Sequence, residues 1–245
     1  MLATMNISMV PSHAEFTPER LAEALHLIRA QARPEALEAL ARFAIGGDGR
    51  LGLSVPQMRA VAQQLGRDHA LALALWDTAI PDAQIVAGLI AEPAQLTLAQ
   101  MDLWTQGMAA WDVCDQACNN AFRKSPLAWA RIPVWAASRE EFVRRAGYAL
   151  LAVMAVHEKK RPDADFIALL PLIEAAADDD RNFVKKAVNW ALRQIGKRSE
   201  DLLPAAIDCA ERLRERPEKS ARWIGADALR ELGPRVNRPG ATIPN

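Results

Sequence analysis

Hydrophobic residues along most of the chain recur at intervals of three and four, the spacing of an amphipathic helix, and no stretch signals a strand. Thr17 followed by Pro18 reads as an N-cap and first helical residue, with Leu21, Ala24, Leu25 and Ile28 as the apolar stripe behind them. Pro34 restarts a helix through Ala36, Leu37, Leu40 and Ala41 to Phe43. Gly46-Gly47-Asp48-Gly49 then breaks the chain. Arg50-Leu51-Gly52 follows, rather than the Lys-Ser/Thr of a phosphate-cradling loop, so the glycines predict a turn. Ser54 with Gln57 forms a capping box for the next helix, and Asp68 and Pro81 open two more. Beyond these the pattern predicts helices over about 97–108, 111–124, 126–137, 139–157, 163–176, 181–197, 200–215 and 218–232.

Short connections bearing Pro, Asp or Ser join these helices, and consecutive helices so joined pack as antiparallel neighbours. The predicted fold is all-α: a right-handed curved α-solenoid of HEAT-like antiparallel helix pairs over residues 17–233, with flexible tails at 1–16 and 234–245. No identical repeat is present, so this expectation rests on the rhythm of the helices. The helix after Glu140 contains Ala149-Leu-Leu-Ala-Val-Met-Ala-Val156, apolar on every side, and is expected to be the most buried. Its first turns hold Arg144 and Arg145.

Residues 181–198 show the sharpest contrast of faces. Val184, Ala187, Val188, Ala191, Leu192 and Ile195 form the apolar stripe, and Lys186, Asn189, Trp190, Arg193 and Lys197 lie opposite. The stretch ends in Arg198, holds six Lys or Arg and no acid, and follows Asp178, Asp179 and Asp180, which suit the positive end of a helix dipole. Trp190 stands roughly 130° from the centre of the stripe. Two roles fit it: a ring covered by a neighbouring helix, or an aromatic platform inside a phosphate-binding surface.

Composition sharpens this picture. The chain carries 30 Lys and Arg against 30 Asp and Glu, which excludes an indiscriminate polyanion binder and makes any nucleic-acid surface local. Residues 1–100 hold 7 basic and 10 acidic side chains, and 101–245 hold 23 and 20. Three cysteines make no disulfide framework. Cys114 and Cys118 lie one helical turn apart with no further ligand nearby, and read as buried thiols rather than a metal site. No metal and no organic cofactor are expected. No apolar run has the length of a membrane span, and Met1 to His13 lack the basic start of a signal peptide. A cytoplasmic monomer is the expectation.

Trp111-Asp112-Val-Cys-Asp115 is the other unusual stretch. Trp111 and Asp115, four apart, lie one above the other on a helix. Asp112 serves as a cap or first-turn acid, whereas Asp115 is one turn too deep for that role. An ion pair with an arginine of the adjacent helix would account for it, Arg145 being the obvious candidate, and would also hold the carboxylate ionised and oriented.

Over roughly residues 36–232 the sequence resembles the bacterial DNA alkylation repair glycosylases of the AlkD-like type. The likeness is carried by Leu53-Ser-Val-Pro-Gln-Met-Arg59, Trp111-Asp-Val-Cys-Asp115, Glu141-Phe-Val-Arg-Arg-Ala146 and Asn182-Phe-Val-Lys-Lys-Ala-Val-Asn-Trp-Ala-Leu-Arg193. The resemblance implies a curved α-solenoid with duplex DNA on its concave face, and removal of positively charged N3- and N7-alkylated purines. It places the catalytic acid on Asp115, an active-site tryptophan on Trp111, the catalytic arginine on Arg145 and a second DNA-contacting tryptophan on Trp190. Phe43 stands where the family has a tyrosine, and Gln84 where an arginine is expected. Together with Lys186, Asn189, Arg193, Lys197, Arg198 and Arg144, Phe43 and Trp190 make up the expected DNA surface. Two other classes share these features in part: a HEAT-like scaffold for a protein partner, and a relative that binds unusual DNA without cutting it.

Overall fold

The computed structural model describes residues 17–236, and among them every regular element is helical. The caps act as their residue types dictate. The Thr17 side chain accepts from the Arg20 amide at the start of α1 (Pro18–Arg29), and Ser54 and Gln57 close a capping box at α3 (Val55–Leu65). Between them lies the short α2 (Leu37–Ala41), preceded by a 3-10 turn at Pro34–Ala36. Asp68 accepts from the Leu71 amide at 2.9 Å and opens α4 (His69–Asp77); Pro81 is in the first turn of α5 (Pro81–Ile90). Thr97 and Gln100 form a second capping box at α6 (Leu98–Gln106).

The remaining helices are α7 (Trp111–Asn120), α8 (Ala128–Ala136), α9 (Glu141–His157), α10 (Asp163–Ile167), α11 (Leu170–Ala175), α12 (Asn182–Arg198), α13 (Leu202–Arg214) and α14 (Lys219–Val236). Two expected helices are interrupted. The 163–176 segment divides into α10 and α11, because Pro171 in the first turn of α11 has no N–H for the carbonyl four residues back. The 111–124 segment ends as α7 at Asn120 and continues as a 3-10 turn, Phe122–Lys124. At the other end, α14 carries on through Pro234 to Val236, past the boundary expected at 233. The expected tail at 1–16, and residues 237–245 of the one expected at 234–245, lie outside the described residues.

One row of helices, α3, α5, α7, α9, α12 and α14, packs each member on the next. A second row covers it, with α4 on α5, α8 on α9, and α13 on both α12 and α14. This every-other-helix contact is the hallmark of a HEAT-like α-solenoid, in which each unit buries its faces only against its neighbours. The central member is α9, where every residue from Arg145 to Ala155 is buried. Leu150, Leu151, Val153 and Met154 each gain roughly 1.5–3 kcal/mol from burial, enough to offset the several kcal/mol of desolvating one well-partnered ion. Gly147 lets α8 and α9 touch: a Cβ there would lie 2.5 Å from the Ala136 amide nitrogen. The two-row arrangement sets the N-terminal ends of α7, α9 and α12 beside one another, and the unusual residues of the sequence gather there.

Candidate functional site

The site begins with a clamped loop. Residues 42–53 turn through Gly47 and Gly49, both in the left-handed region that favours glycine. Arg50, buried, donates to both oxygens of Asp112 at 2.7 and 2.8 Å and to the Gly46 carbonyl at 3.0 Å. The buried Asp82 carboxylate takes the amides of Leu51 and Leu53, each at 2.8 Å. So held, the loop presents Phe43, 71% exposed, and its carbonyl accepts the Trp111 indole N–H at 3.1 Å. Asp112 is therefore more than a first-turn acid: it fastens this loop to α7.

One turn below Trp111, Asp115 meets Arg145. The guanidinium donates through Nε and Nη2 to Oδ1 at 3.1 and 2.9 Å and through Nη2 to Oδ2 at 2.8 Å. Its third nitrogen, Nη1, donates to the Phe183 carbonyl at 2.7 Å, which ties the pair to the first turn of α12. Phe183 stacks on Phe142 with ring centres 5.5 Å apart, holding α12 against α9. The Arg145 side chain is 6% exposed and that of Asp115 is 20% exposed, so the acid keeps an open edge. Burial raises the Asp115 carboxyl above its ordinary value, against the downward pull of the Arg145 charge. Arg145 is itself raised: burial works against its charge and Asp115 more than restores it. Its Cζ also lies 5.7 Å from the centre of the Trp111 ring.

These groups border an open cavity of about 480 Å³, lined by Arg42, Phe43, Ala44, Trp111, Arg145, Asn182, Phe183 and Lys186. The wall combines exposed or half-exposed aromatic rings with cations, and Asp115 adjoins it through Arg145. A neutral planar group, a cation or a phosphate would each find a matching surface there. A second cavity, of about 420 Å³, sits in the N-terminal half beside the stacked Trp76 and Trp104 rings and contains none of the expected site residues. Among the described residues no group of three or more His, Cys, Asp or Glu side chains is placed to hold a metal ion, and no helix is long and apolar enough to cross a membrane.

With this fold and constellation, a family model described as DNA alkylation repair enzyme matches residues 24–232. The chain belongs to this DNA alkylation repair family. Among solved structures it is similar to one described as a new family of proteins related to the HEAT-like repeat DNA glycosylases with affinity for branched DNA structures. That match has 18% identity and a TM-score of 0.70, and covers 87% of this chain and 96% of the other. A designed armadillo repeat protein, YIII(Dq)4CqI, also matches at 18% identity, over 84% of this chain and 98% of that one, with a TM-score of 0.38. No curated protein has a significant match to the sequence.

Within this chain of the alkylation-repair family, Trp111, Arg145, Phe43 and Lys186 line one cavity and Asp115 adjoins it through Arg145. Much of the expected basic face of α12 does not. Asn189 is buried and donates to Asp227 at 2.6 Å; it is a structural link to α14. Arg198 is buried as well. It bonds Asp163 at 2.9 Å and the carbonyls of Ala155, Glu158 and Arg161 at 3.0, 2.8 and 2.7 Å, closing the C-terminal end of α9. Arg193 and Lys197 each reach Glu231 at 2.6 Å. Arg144 pairs with the buried Asp179 at 3.1 Å, which also takes Arg181 at 2.6 Å, so the triple-aspartate stretch clamps α9 rather than simply facing a dipole. Trp190 is half-buried against the core, one turn beyond Lys186 and outside the cavity lining. With the Gln194 amide turned to satisfy its neighbours, the Trp190 indole N–H donates to it at 3.1 Å.

Arg50, Asn182 and Phe183 were not singled out from the sequence. The strict Gly-rich turn before Arg50 was the available signal. Phe183 acts through its backbone carbonyl, which leaves no trace in residue type.

Proposed function

We propose that the protein is a DNA glycosylase that hydrolyses the bond between deoxyribose and a positively charged N3- or N7-alkylated purine in duplex DNA. The observation that carries the reading is the bidentate Asp115–Arg145 pair, partly open to solvent, one turn below Trp111 at the edge of an aromatic and cationic cavity. A cationic base such as 7-methylguanine takes the bonding electron pair of its glycosidic bond and leaves neutral. Positive charge then builds on the sugar, and water supplies the oxygen that bonds to C1′ while losing a proton. A fixed carboxylate beside C1′ stabilises that charge. In this reading Asp115 supplies it, with Arg145 setting its orientation and contacting a backbone phosphate. The Trp111 face, attractive to a cation by roughly 0.5–2 kcal/mol, steadies the lesion-bearing nucleotide. Lys186 meets a neighbouring phosphate.

A second reading is binding without cleavage; the structural relative is described as having affinity for branched DNA structures. It is favoured by one feature: Arg145 already contacts both Asp115 oxygens, so a sugar must share the carboxylate with a guanidinium. Release of free base from duplex DNA carrying 7-methylguanine separates the two. Enzyme-dependent appearance of the base supports excision; tight binding with no base released over many hours at saturating protein supports binding alone.

A further inference from the structure

Helices α12 and α14 lie side by side and are joined by rungs spaced four residues apart on both. Asn189 donates to Asp227 and Arg193 to Glu231, each at 2.6 Å, and each pair is 38 residues apart in the chain. One rung nearer the start of both helices, at the same separation, Lys185 holds its Nζ 5.1 Å from the ring centre of Trp223. Two rungs thus have an α14 carboxylate. The first has an indole instead, 39% exposed. Packing does not force it there: the buried stripe of α14 runs through Ala221, Ile224, Ala228 and Leu232 and leaves Trp223 aside. Nor does the lysine contact account for it, since a cation over an exposed aromatic face is a weak interaction compared with the carboxylate rungs beside it.

The charge around this rung differs from the rest of the ladder. Farther along, Glu231 holds Arg193 and Lys197. Among the described residues, Lys185, Lys186 and Lys219 have no carboxylate within ion-pair distance, whereas Arg222 is turned back onto the Arg216 and Pro217 carbonyls. Lys186 is also part of the cavity wall beside Trp111 and Arg145. The uncompensated cations and the exposed indole therefore continue from the candidate site toward the start of α14.

We propose that Trp223 and Lys185 form a second nucleic-acid contact, in which an unpaired base stacks on the indole while Lys185 and Lys219 meet the adjoining phosphates. A paired base in a duplex is already stacked on both faces, and phosphate contact alone has no use for a ring; an aromatic side chain among free cations is the chemistry that holds single-stranded nucleic acid. The inference rests on the reading that the N-terminal end of α12 meets DNA.

The test measures binding of the full chain to three labelled DNAs: a blunt duplex, the same duplex with a single-stranded fork, and the single strand alone. Loss of one stacked base predicts that Trp223→Ala weakens fork and single-strand binding about 5- to 100-fold and leaves blunt-duplex binding unchanged. Trp223→Phe should recover most of the loss, and Lys185→Ala should reduce the salt slope on the single strand by about 0.7. The phenylalanine and lysine variants keep the test intact if the alanine variant does not fold. Equal weakening on all three DNAs overturns the proposal, as does no change on any, which would leave the indole to a protein partner. Base release from methylated blunt duplex is scored in parallel. Its absence beside a Trp223-dependent fork preference sinks excision alone, and its presence without that preference sinks the second contact alone.

Discussion

Asp115→Asn and Asp112→Asn form a matched pair of perturbations. Both carboxylates take a buried arginine through two nitrogens, Arg145 through Nε at 3.1 Å and Nη2 at 2.8 and 2.9 Å, and Arg50 through Nη1 and Nη2 at 2.7 and 2.8 Å. The arginine side chains are 6% and 5% exposed and the acids 20% and 15%. An amide keeps one acceptor oxygen but turns an N–H₂ toward the guanidinium in place of the second acceptor. Each substitution should therefore lose about 1.5–3 kcal/mol, the range for a hydrogen bond to a charged group. In a chain of this size that lowers the melting temperature by roughly 3–12 °C. Catalysis should separate what stability does not. Asp115→Asn should slow release of 7-methylguanine by about 10²–10³-fold in single turnover at saturating protein, the cost of removing one preorganised electrostatic group. Asp112→Asn, which fastens the Phe43 loop, should raise the protein concentration needed for saturation and leave the saturated rate within about threefold. Thermal melts and single-turnover base release at a temperature below both transitions are the measurements. If Asp112→Asn slows the saturated step as much as Asp115→Asn, the loss reflects a weakened fold and Asp115 has no separate chemical role. If Asp115→Asn is folded and excises at the parent rate, the catalytic assignment fails outright.

Burial raises the Asp115 carboxyl from 3.8 against the pull of Arg145, so the rate at subsaturating protein, which follows the free protein, should fall on the acid side with a midpoint above 3.8. A midpoint at or below that value would contradict this. The same shift makes the folded protein bind the extra proton, so this stabilising contribution is present below 3.8 and is lost as pH rises through the folded value; the melting difference between parent and Asp115→Asn should follow that course. Lys186→Ala should reduce the salt slope of duplex binding by about 0.9, whereas Arg193→Ala and Lys197→Ala should change it much less because Glu231 already holds both; equal drops in all three would show that those pairs open on DNA. Gly147→Ala places a Cβ 2.5 Å from one backbone atom of Ala136 and 3.0 Å from another, and neither can give way as a side chain does. It should cost about 1–3 kcal/mol of unfolding free energy in chemical denaturation, and an unchanged value would mean that α8 and α9 do not touch at this glycine.

The sequence determined the features that one helix can express alone. Capping chemistry at Thr17, Ser54, Asp68 and Thr97 set where helices begin, and the all-round apolar run from Ala149 made α9 the central member of its row. The spacing of Trp111 and Asp115 put both on one face of α7, and Arg145 was the evident partner for an acid too deep to be a cap. The resemblance to the alkylation-repair family was carried by the same short stretches. The state of the charges on α12 was a different matter. Its window contains no acid, yet Asp227 and Glu231 arrive from α14, so Asn189, Arg193 and Lys197 are engaged within the fold and only the start of the helix keeps free cations. Arg198 likewise turns inward, against the carbonyls of Ala155, Glu158 and Arg161 at and just beyond the end of α9. Helical periodicity reports which way a side chain leaves its own helix, and it is a local property. Whether a cation is spent on a carboxylate, a carbonyl or a ligand depends on what a helix some 38 residues away places opposite it, and only the packed rows decide that.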